Sequence, residues 1–403
     1  MRKLLFLFCT IALLAGCKHD EDESPSRFNR TVLVYVSGEN TLSPFIGNEL
    51  REMLQGSKGI GNNALVVYVD DANSSHLPYV MRLKEGAVAD SVVFEKDELS
   101  SNPDVMGRVL RYTSEHYPAT DYGLVLWGHG TGWMLEDSMA WARTPRKGYG
   151  IDNGSNALSD NGKWLNMNSL GRVLSLWGQP LRFVMADCCQ FQCIESAYEL
   201  RNATDYIIGA PSEIPGEGAP YNTMIPQLFS TASDFYKGIV DAYYAQVISG
   251  YRVPLSVIKT SMMGQLARQT ALTLKTFALP ATECPDLHGL IYYKGTTRDR
   301  SLDVMYDMND FMLHYAPEAA YGAWKQVFDS TVVYRKMASP WMSYAGRAAI
   351  QVDFSSFEMT EKRFGGVSMF VPQNRKNSQY QKYNADIRLT GWYWAAGLDE
   401  IGW

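Results

Sequence analysis

The chain has 403 residues, 46% of them hydrophobic and 20% charged, with a net charge of −6. This is more than one typical domain and fits one large α/β domain with additions, with an ordinary globular core. The acidic balance gives no electrostatic reason to bind nucleic acid. Three of the six cysteines, Cys188, Cys189 and Cys193, crowd into one short stretch, which is not a disulfide scaffold, and no second Cys/His cluster completes a zinc site.

Arg2 and Lys3 precede an apolar run over 4–14 and then Ala15-Gly16-Cys17. These are the charged, apolar and cleavage regions of an export signal, with a core too short to span a bilayer. The segment 14–17 resembles a bacterial lipobox, which implies lipid attachment at Cys17 after removal of 1–16 and anchoring through acyl chains. Residues 17–29 are a charged tether containing Pro and Ser that cannot build a core. Its acidic run is similar to sorting signals of surface lipoproteins, so the expected location is the outer membrane or cell surface.

Residues 31–36 and 64–69 are continuous β-branched and apolar runs and read as buried strands, with a helix over about 42–53 between them. Short strands are expected at 79–84 and 91–94, close enough in sequence to form a hairpin. Asn102-Pro103-Asp104 opens a helix to about Tyr117, with Asn102 as cap and Pro103 in the first turn. A third buried strand over 122–127 runs into Gly128-His129-Gly130. Residues 135–163 read as a long surface loop, rich in Gly, Asp, Asn and Ser. A helix over 168–176 and a strand over 181–186 lead to Asp187-Cys188-Cys189, and a further helix follows. Another strand at 206–210 enters a Gly/Pro-rich loop at 211–221. Helices are expected at 221–229, 233–249 and 265–277, with a strand at 254–259. The last third carries helices at 304–314 and 318–329 and strands at 330–336 and 364–371. Alternating buried strands and helices predict a mostly parallel central sheet flanked by helices. The α/β core is expected over 30–260, with 261–403 a C-terminal extension of helices and strands packed on it.

In such sheets functional loops gather at the carboxyl ends of strands. His129 and Cys189 both stand there. A cysteine nucleophile needs its thiolate supplied or stabilised, and a histidine within reach does so and later protonates a leaving amine. The backbone N–H groups of Gly130 and Cys189 are candidates for an oxyanion hole, and the helix after Cys189 is expected to favour the thiolate through its positive end. His76, His116, His288 and His314 have no comparable setting. Gly128-His129-Gly130-Thr131-Gly132 lacks the Lys-Ser/Thr pair of a phosphate loop.

These motifs resemble the clostripain family of cysteine peptidases, relatives of caspases, gingipains and legumains. Gly128-His129-Gly130 matches the family's Gly-His-Gly. Asp187-Cys188-Cys189 falls on its Asp-Ala-Cys, which implies that Cys189 is the nucleophile and that Cys188 occupies the alanine position. Glu195 and Ala197-Tyr198-Glu199-Leu200 match in register. Residues 215–221 resemble the family's Pro-Gly-x-Gly-x-x-Tyr loop, and 366–372 its last characteristic strand. Gln190-Phe191-Gln192 and Ala219 depart from the pattern. The resemblance implies a caspase-like fold over 30–260 and an endopeptidase acting on proteins or peptides, cutting after Arg or Lys. Asp187, Glu213 and Glu217 are then the carboxylates available to read a basic side chain, with Glu213 or Glu217 in contact with it. It also implies self-cleavage in the loop holding Arg143, Arg146 and Lys147. No cofactor is expected. Calcium dependence is known in the family, although no calcium loop stands out in the sequence. The rival reading is a surface lipoprotein that keeps the fold and binds peptide without turnover.

Overall fold

The computed structural model describes residues 27–134, 148–277, 287–293, 305–345, 348–351, 357–372 and 378–403. Cys17, Arg143, Arg146 and Lys147 lie outside these residues. In chain order the first half contains β1 (Phe28–Gly38), α1 (Ser43–Gly56), β2 (Ala64–Asp71), β3 (Tyr79–Lys84), β4 (Ala87–Val93), α2 (Pro103–His116), β5 (Ala119–Gly128), β6 (Tyr149–Asp152), β7 (Lys163–Leu165), α3 (Met167–Trp177) and β8 (Leu181–Asp187). The second half contains α4 (Ile194–Leu200), β9 (Tyr206–Gly209), α5 (Tyr221–Leu228), α6 (Tyr236–Ala245), β10 (Leu255–Lys259), α7 (Met263–Leu274), β11 (Tyr306–Asp307), α8 (Met308–Tyr315), α9 (Glu318–Thr331) and β12 (Val332–Lys336). Beyond these come β13 (Met342–Ala345), β14 (Ala348–Gln351), β15 (Ser368–Met369), α10 (Ser378–Asp386) and α11 (Gly391–Ala395).

Among the described residues the main sheet has nine strands in the order β12-β10-β9-β8-β5-β1-β2-β3-β4. The central run β9-β8-β5-β1-β2 is parallel throughout. Antiparallel β10 and β12 extend one side, and β3 and β4 the other. Parallel strands need crossover helices, which cover both faces and so bury apolar runs such as 32–36 completely. Side chains alternate across each strand. Val32, Val34 and Val36 face the side packed by α1, α5 and α6. Leu33 and Tyr35 face the side packed by α2, α3, α4 and α7. Edge strand β12 comes from beyond residue 261, so the sheet draws on both parts of the chain.

The caps follow the sequence. The Asn102 side chain accepts the Asp104 N–H at 2.9 Å and Pro103 opens α2. The expected surface loop at 135–163 turns out otherwise in its described second half. Tyr149, Ile151 and Asp152 are buried in β6, which pairs with β7. The Tyr149 hydroxyl donates to the carbonyls of Tyr35 and Trp127, so this hairpin is locked against the ends of β1 and β5. The expected strand over 364–371 is reduced to β15, which pairs with β11.

Candidate active site

The register of the parallel sheet sets the site. β5 and β8 pair up to Trp127 opposite Asp187. His129 and Cys189 each lie two residues further along, so the chain brings imidazole and thiol out at the same level of adjacent strands. Gly130 is forced by this approach: a Cβ there would stand 2.5 Å from the Cys189 carbonyl oxygen and 2.9 Å from the Cys188 Sγ. The hairpin fixes the histidine turn. The Gly150 N–H donates to the His129 carbonyl at 2.8 Å and the Thr131 N–H to that of Gly148 at 3.0 Å. The neighbours carry this ladder, which leaves the Gly130 amide unspent in it.

His129 is oriented by two residues that the sequence reading passed over. Its Nε2 lies 3.0 Å from Thr41 Oγ1 and 3.2 Å from Asp160 Oδ1. The Thr41 hydroxyl donates to Asp160, at 2.7 and 2.9 Å to the two oxygens, and the Thr41 N–H adds a bond at 3.2 Å. With its proton committed to Asp160, Thr41 can only accept from the ring. Nε2 therefore carries the proton, and Nδ1 holds the lone pair in the neutral ring. Asp160 is half-exposed. Burial alone would raise its carboxyl, but hydrogen bonding and charge from His129, followed by the Thr41 bonds, win and hold it at about 2.

The two adjacent cysteines face opposite ways. Cys188 is buried among the side chains packed by α2, α3 and α4. Cys189 is half-buried on the face of α1, α5 and α6. The Cys189 Sγ accepts the Ile214 N–H at 3.4 Å and lies 3.9 Å from the Ile214 carbonyl. Burial, then the nearby Glu213 charge, pushes its thiol up to about 12 against the favourable Ile214 bond. The expected helix contribution does not materialise. A tight turn follows Cys189, with Gln190 at φ +56°, and α4 starts only at Ile194 with Cys193 as its cap. The positive helix end is therefore not at the thiol.

Asp187, at the end of β8, accepts three hydrogen bonds and keeps acceptor capacity on Oδ1. Its Oδ2 accepts the Ala219 N–H and the Tyr221 hydroxyl, and its Oδ1 accepts the Tyr243 hydroxyl, all at 2.9 Å. Gly218 adopts φ +61°, and a Cβ there would stand 2.8 Å from Asp187 Oδ2. Asp187 thus shapes the 215–221 loop. Glu213 is half-buried beside Cys189, and Glu217 is exposed on the same loop.

A second group of acids adjoins the site. Glu39, Asp70 and Asp152, from the ends of β1, β2 and β6, are buried and bring an oxygen each within 4.8 Å of one another. Glu39 Oε1 accepts the Ser155 and Asn156 amides at 2.6 Å, and Asp152 accepts Ser100 and Gly154. Glu39 Oε2 and Asp70 Oδ2 have no partner. Burial, then the Asp152 charge, raises the carboxyl of Asp70 well above its usual range and that of Glu39 to about 7. Buried carboxylate oxygens left without donors suit a hard divalent cation such as calcium. The three residues come from three separate strand ends, so no single sequence loop announces them.

A sequence model of the clostripain family matches residues 34–401. Among curated proteins no relative matches. A secreted C11 cysteine protease from Bacteroides thetaiotaomicron, solved with an irreversible peptide inhibitor, is 30% identical, with a TM-score of 0.75, covering 92% of this chain and 99% of that one. An inactive zymogen C11 protease from Parabacteroides distasonis is 26% identical, with a TM-score of 0.72 over 92% of this chain and 99% of that one. A second secreted C11 cysteine protease from Bacteroides thetaiotaomicron shares the fold at 18% identity, with a TM-score of 0.73 over 92% of this chain and 100% of that one. The mixed nine-stranded sheet between helical layers is the caspase-like fold of these proteases. The match over most of the chain and the strand-end cysteine and histidine lead to one conclusion: this protein belongs to the clostripain family of cysteine peptidases.

Proposed function

We propose that the chain is an exported, lipid-anchored cysteine endopeptidase that cuts after Arg or Lys through Cys189 and His129. The observation that carries the reading is the level placement of the two side chains beyond the Trp127–Asp187 pair, with the histidine lone pair on Nδ1. A thiol at about 12 is protonated at neutral pH, so it must hand over its proton as it attacks. Nδ1 of His129 takes that proton while Sγ bonds to the scissile carbonyl carbon. The oxyanion is met by the Gly130 and Cys189 amides. His129 then gives the proton to the departing amine, leaving a thioester, and water attacks the thioester with His129 again as base. Asp160 and Thr41 steady the imidazolium formed in between.

The bacterial relative solved with a peptide inhibitor supports a peptide substrate. The acidic 211–221 loop supports a basic residue before the cleaved bond. Among the described residues no helix is long and apolar enough to cross a membrane, and attachment is assigned to acyl chains on Cys17. A zymogen among the relatives supports activation by cleavage at Arg143, Arg146 or Lys147. Glu39, Asp70 and Asp152 would hold calcium when it is bound, pinning the turn that carries Ser155 and Asn156. Calcium should then raise the melting temperature, and Glu39→Gln should abolish that rise. An unshifted wild type would remove calcium from the account.

The deciding experiment uses the soluble form beginning after Cys17, with peptides bearing Arg, Lys or a neutral residue before the scissile bond. Turnover is expected to survive Cys188→Ala and to vanish with Cys189→Ala or His129→Ala. Absence of turnover on every peptide, with calcium and reductant present and the 143–147 loop cut, would favour the peptide-binding lipoprotein. Labelling of Cys189 by a thiol-directed peptide inhibitor separates the two, since a binding module has no use for a reactive thiol.

A further inference from the structure

We infer that Glu49 is a specificity-determining residue, supplying with Asp187 a buried anionic floor for the basic side chain that precedes the cleaved bond. This rests on the proposed cleavage after Arg or Lys and names the residue that reads the charge.

Helix α1 lies along the 215–221 loop. The Phe45 ring stands against Gly216, where a Cβ would meet it at 2.9 Å, and Gly56 backs onto the Tyr221 carbonyl, with 2.5 Å to an added Cβ. Glu49 follows Phe45 by one helical turn and so shares its face. It therefore points at the part of the loop between Gly216 and Tyr221. Asp187 and Cys189 lie on the same side of the sheet, and the same loop holds both of them, through Ala219 and Ile214 respectively. Of the residues around it, Glu217 is exposed and Phe45 and Gly216 are half-buried, so solvent reaches this edge of the loop.

Glu49 is only 1% exposed, and neither carboxylate oxygen has a hydrogen-bond partner. A buried carboxyl without a partner is costly, and a purely structural glutamate would have found one. The charges around it make matters worse. Asp187, Glu52 and Glu217 are its charged neighbours, and the hydroxyls of Tyr221 and Tyr243, which face it from α5 and α6, are spent on Asp187. Burial, then Asp187, pushes its carboxyl up to about 9, so it waits neutral at pH 7. A guanidinium or ammonium entering over this edge is the missing partner. It offers several donors and a positive charge to two acids at once. Its arrival ionises Glu49, and the displaced proton leaves to solvent.

The test compares kcat/KM on peptides with Arg, Lys or norleucine before the scissile bond, for wild type and Glu49→Gln. The expected result is a ten- to hundredfold loss on Arg and Lys peptides, carried mainly by KM, with norleucine peptides unchanged or improved. The wild-type KM for Arg peptides should also fall with rising pH across the neutral range, and the variant should lose that dependence. A retained ratio of Arg to norleucine turnover in the variant overturns the role of Glu49. A wild type with no preference for basic residues instead overturns the cleavage preference itself, before Glu49 is at issue. Should Glu49→Gln fold poorly, Glu49→Met suits the apolar surroundings and carries the same comparison.

Discussion

Only one nitrogen of His129 is left for the proposed chemistry, because Thr41 and Asp160 occupy the other. Asp160 stays anionic well below pH 4. Its depressed carboxyl contributes stability above the ordinary aspartate range, which is lost only as pH falls toward 2. Being half-exposed, it adds little to folding. Its effect belongs to the ring instead. Asp160→Asn is expected to lower kcat about tenfold with KM and melting temperature little changed, measured on the best peptide. A loss confined to stability would make Asp160 a surface ion pair and no more. Neither Thr41 nor Asp160 was legible beforehand. They lie 88 residues before and 31 residues after His129 in sequence order, and no periodicity links a threonine at a strand end to an aspartate in a polar turn. Glu49 escaped for another reason: a glutamate on an amphipathic helix ordinarily reads as a solvated charge.

At the scale of elements, the turn after β8 is held from the far end of the chain. Glu195 opens α4, and its Oε1 accepts the Phe370 N–H at 2.7 Å, while its Oε2 has no partner. The Ser368 N–H donates to the Gln192 carbonyl at 3.0 Å, so the strand around β15 clamps the segment between Cys189 and α4. Burial raises the Glu195 carboxyl to about 7. A carboxyl raised in the fold keeps its proton where the unfolded chain loses it, so this group lowers stability as pH rises from 4.5 to 7. Glu195→Gln keeps the acceptor and removes the titration. Its stability relative to wild type is expected to grow across that window by up to about 3 kcal/mol, read by denaturant unfolding at pH 5 and pH 8. A constant difference at both pH values would show that Glu195 titrates normally. The matches at Glu195 and at 366–372 were legible as separate motifs. Their direct contact was not, because 175 residues separate the hydrogen-bonded pair.

For the molecule as a whole, the central parallel strands and the histidine and cysteine at their ends were legible because buried β-branched runs and strand-end motifs are local signals. The hairpin β6–β7 was hidden, since its residues are few and Gly-rich, and its burial comes from the Tyr149 hydroxyl reaching across to β1 and β5. Of the antiparallel edges, β3 and β4 were legible as neighbouring short strands, whereas the pairing of β10 with β12 was not, because a long sequence gap separates them. The strand order carries a last consequence. β5 stands at the middle of the sheet with β8 beside it, whereas β4 lies at one border and is exposed along its whole length. Amides in β5 and β8 should exchange with deuterium only when the entire protein opens, and those of β4 orders of magnitude sooner, through fraying. Uniform exchange across the sheet would contradict this. On that expectation the proposed chemistry rides on the slowest-opening unit of the molecule, and the borders can loosen, be trimmed or be remodelled while the cysteine and the histidine keep their level.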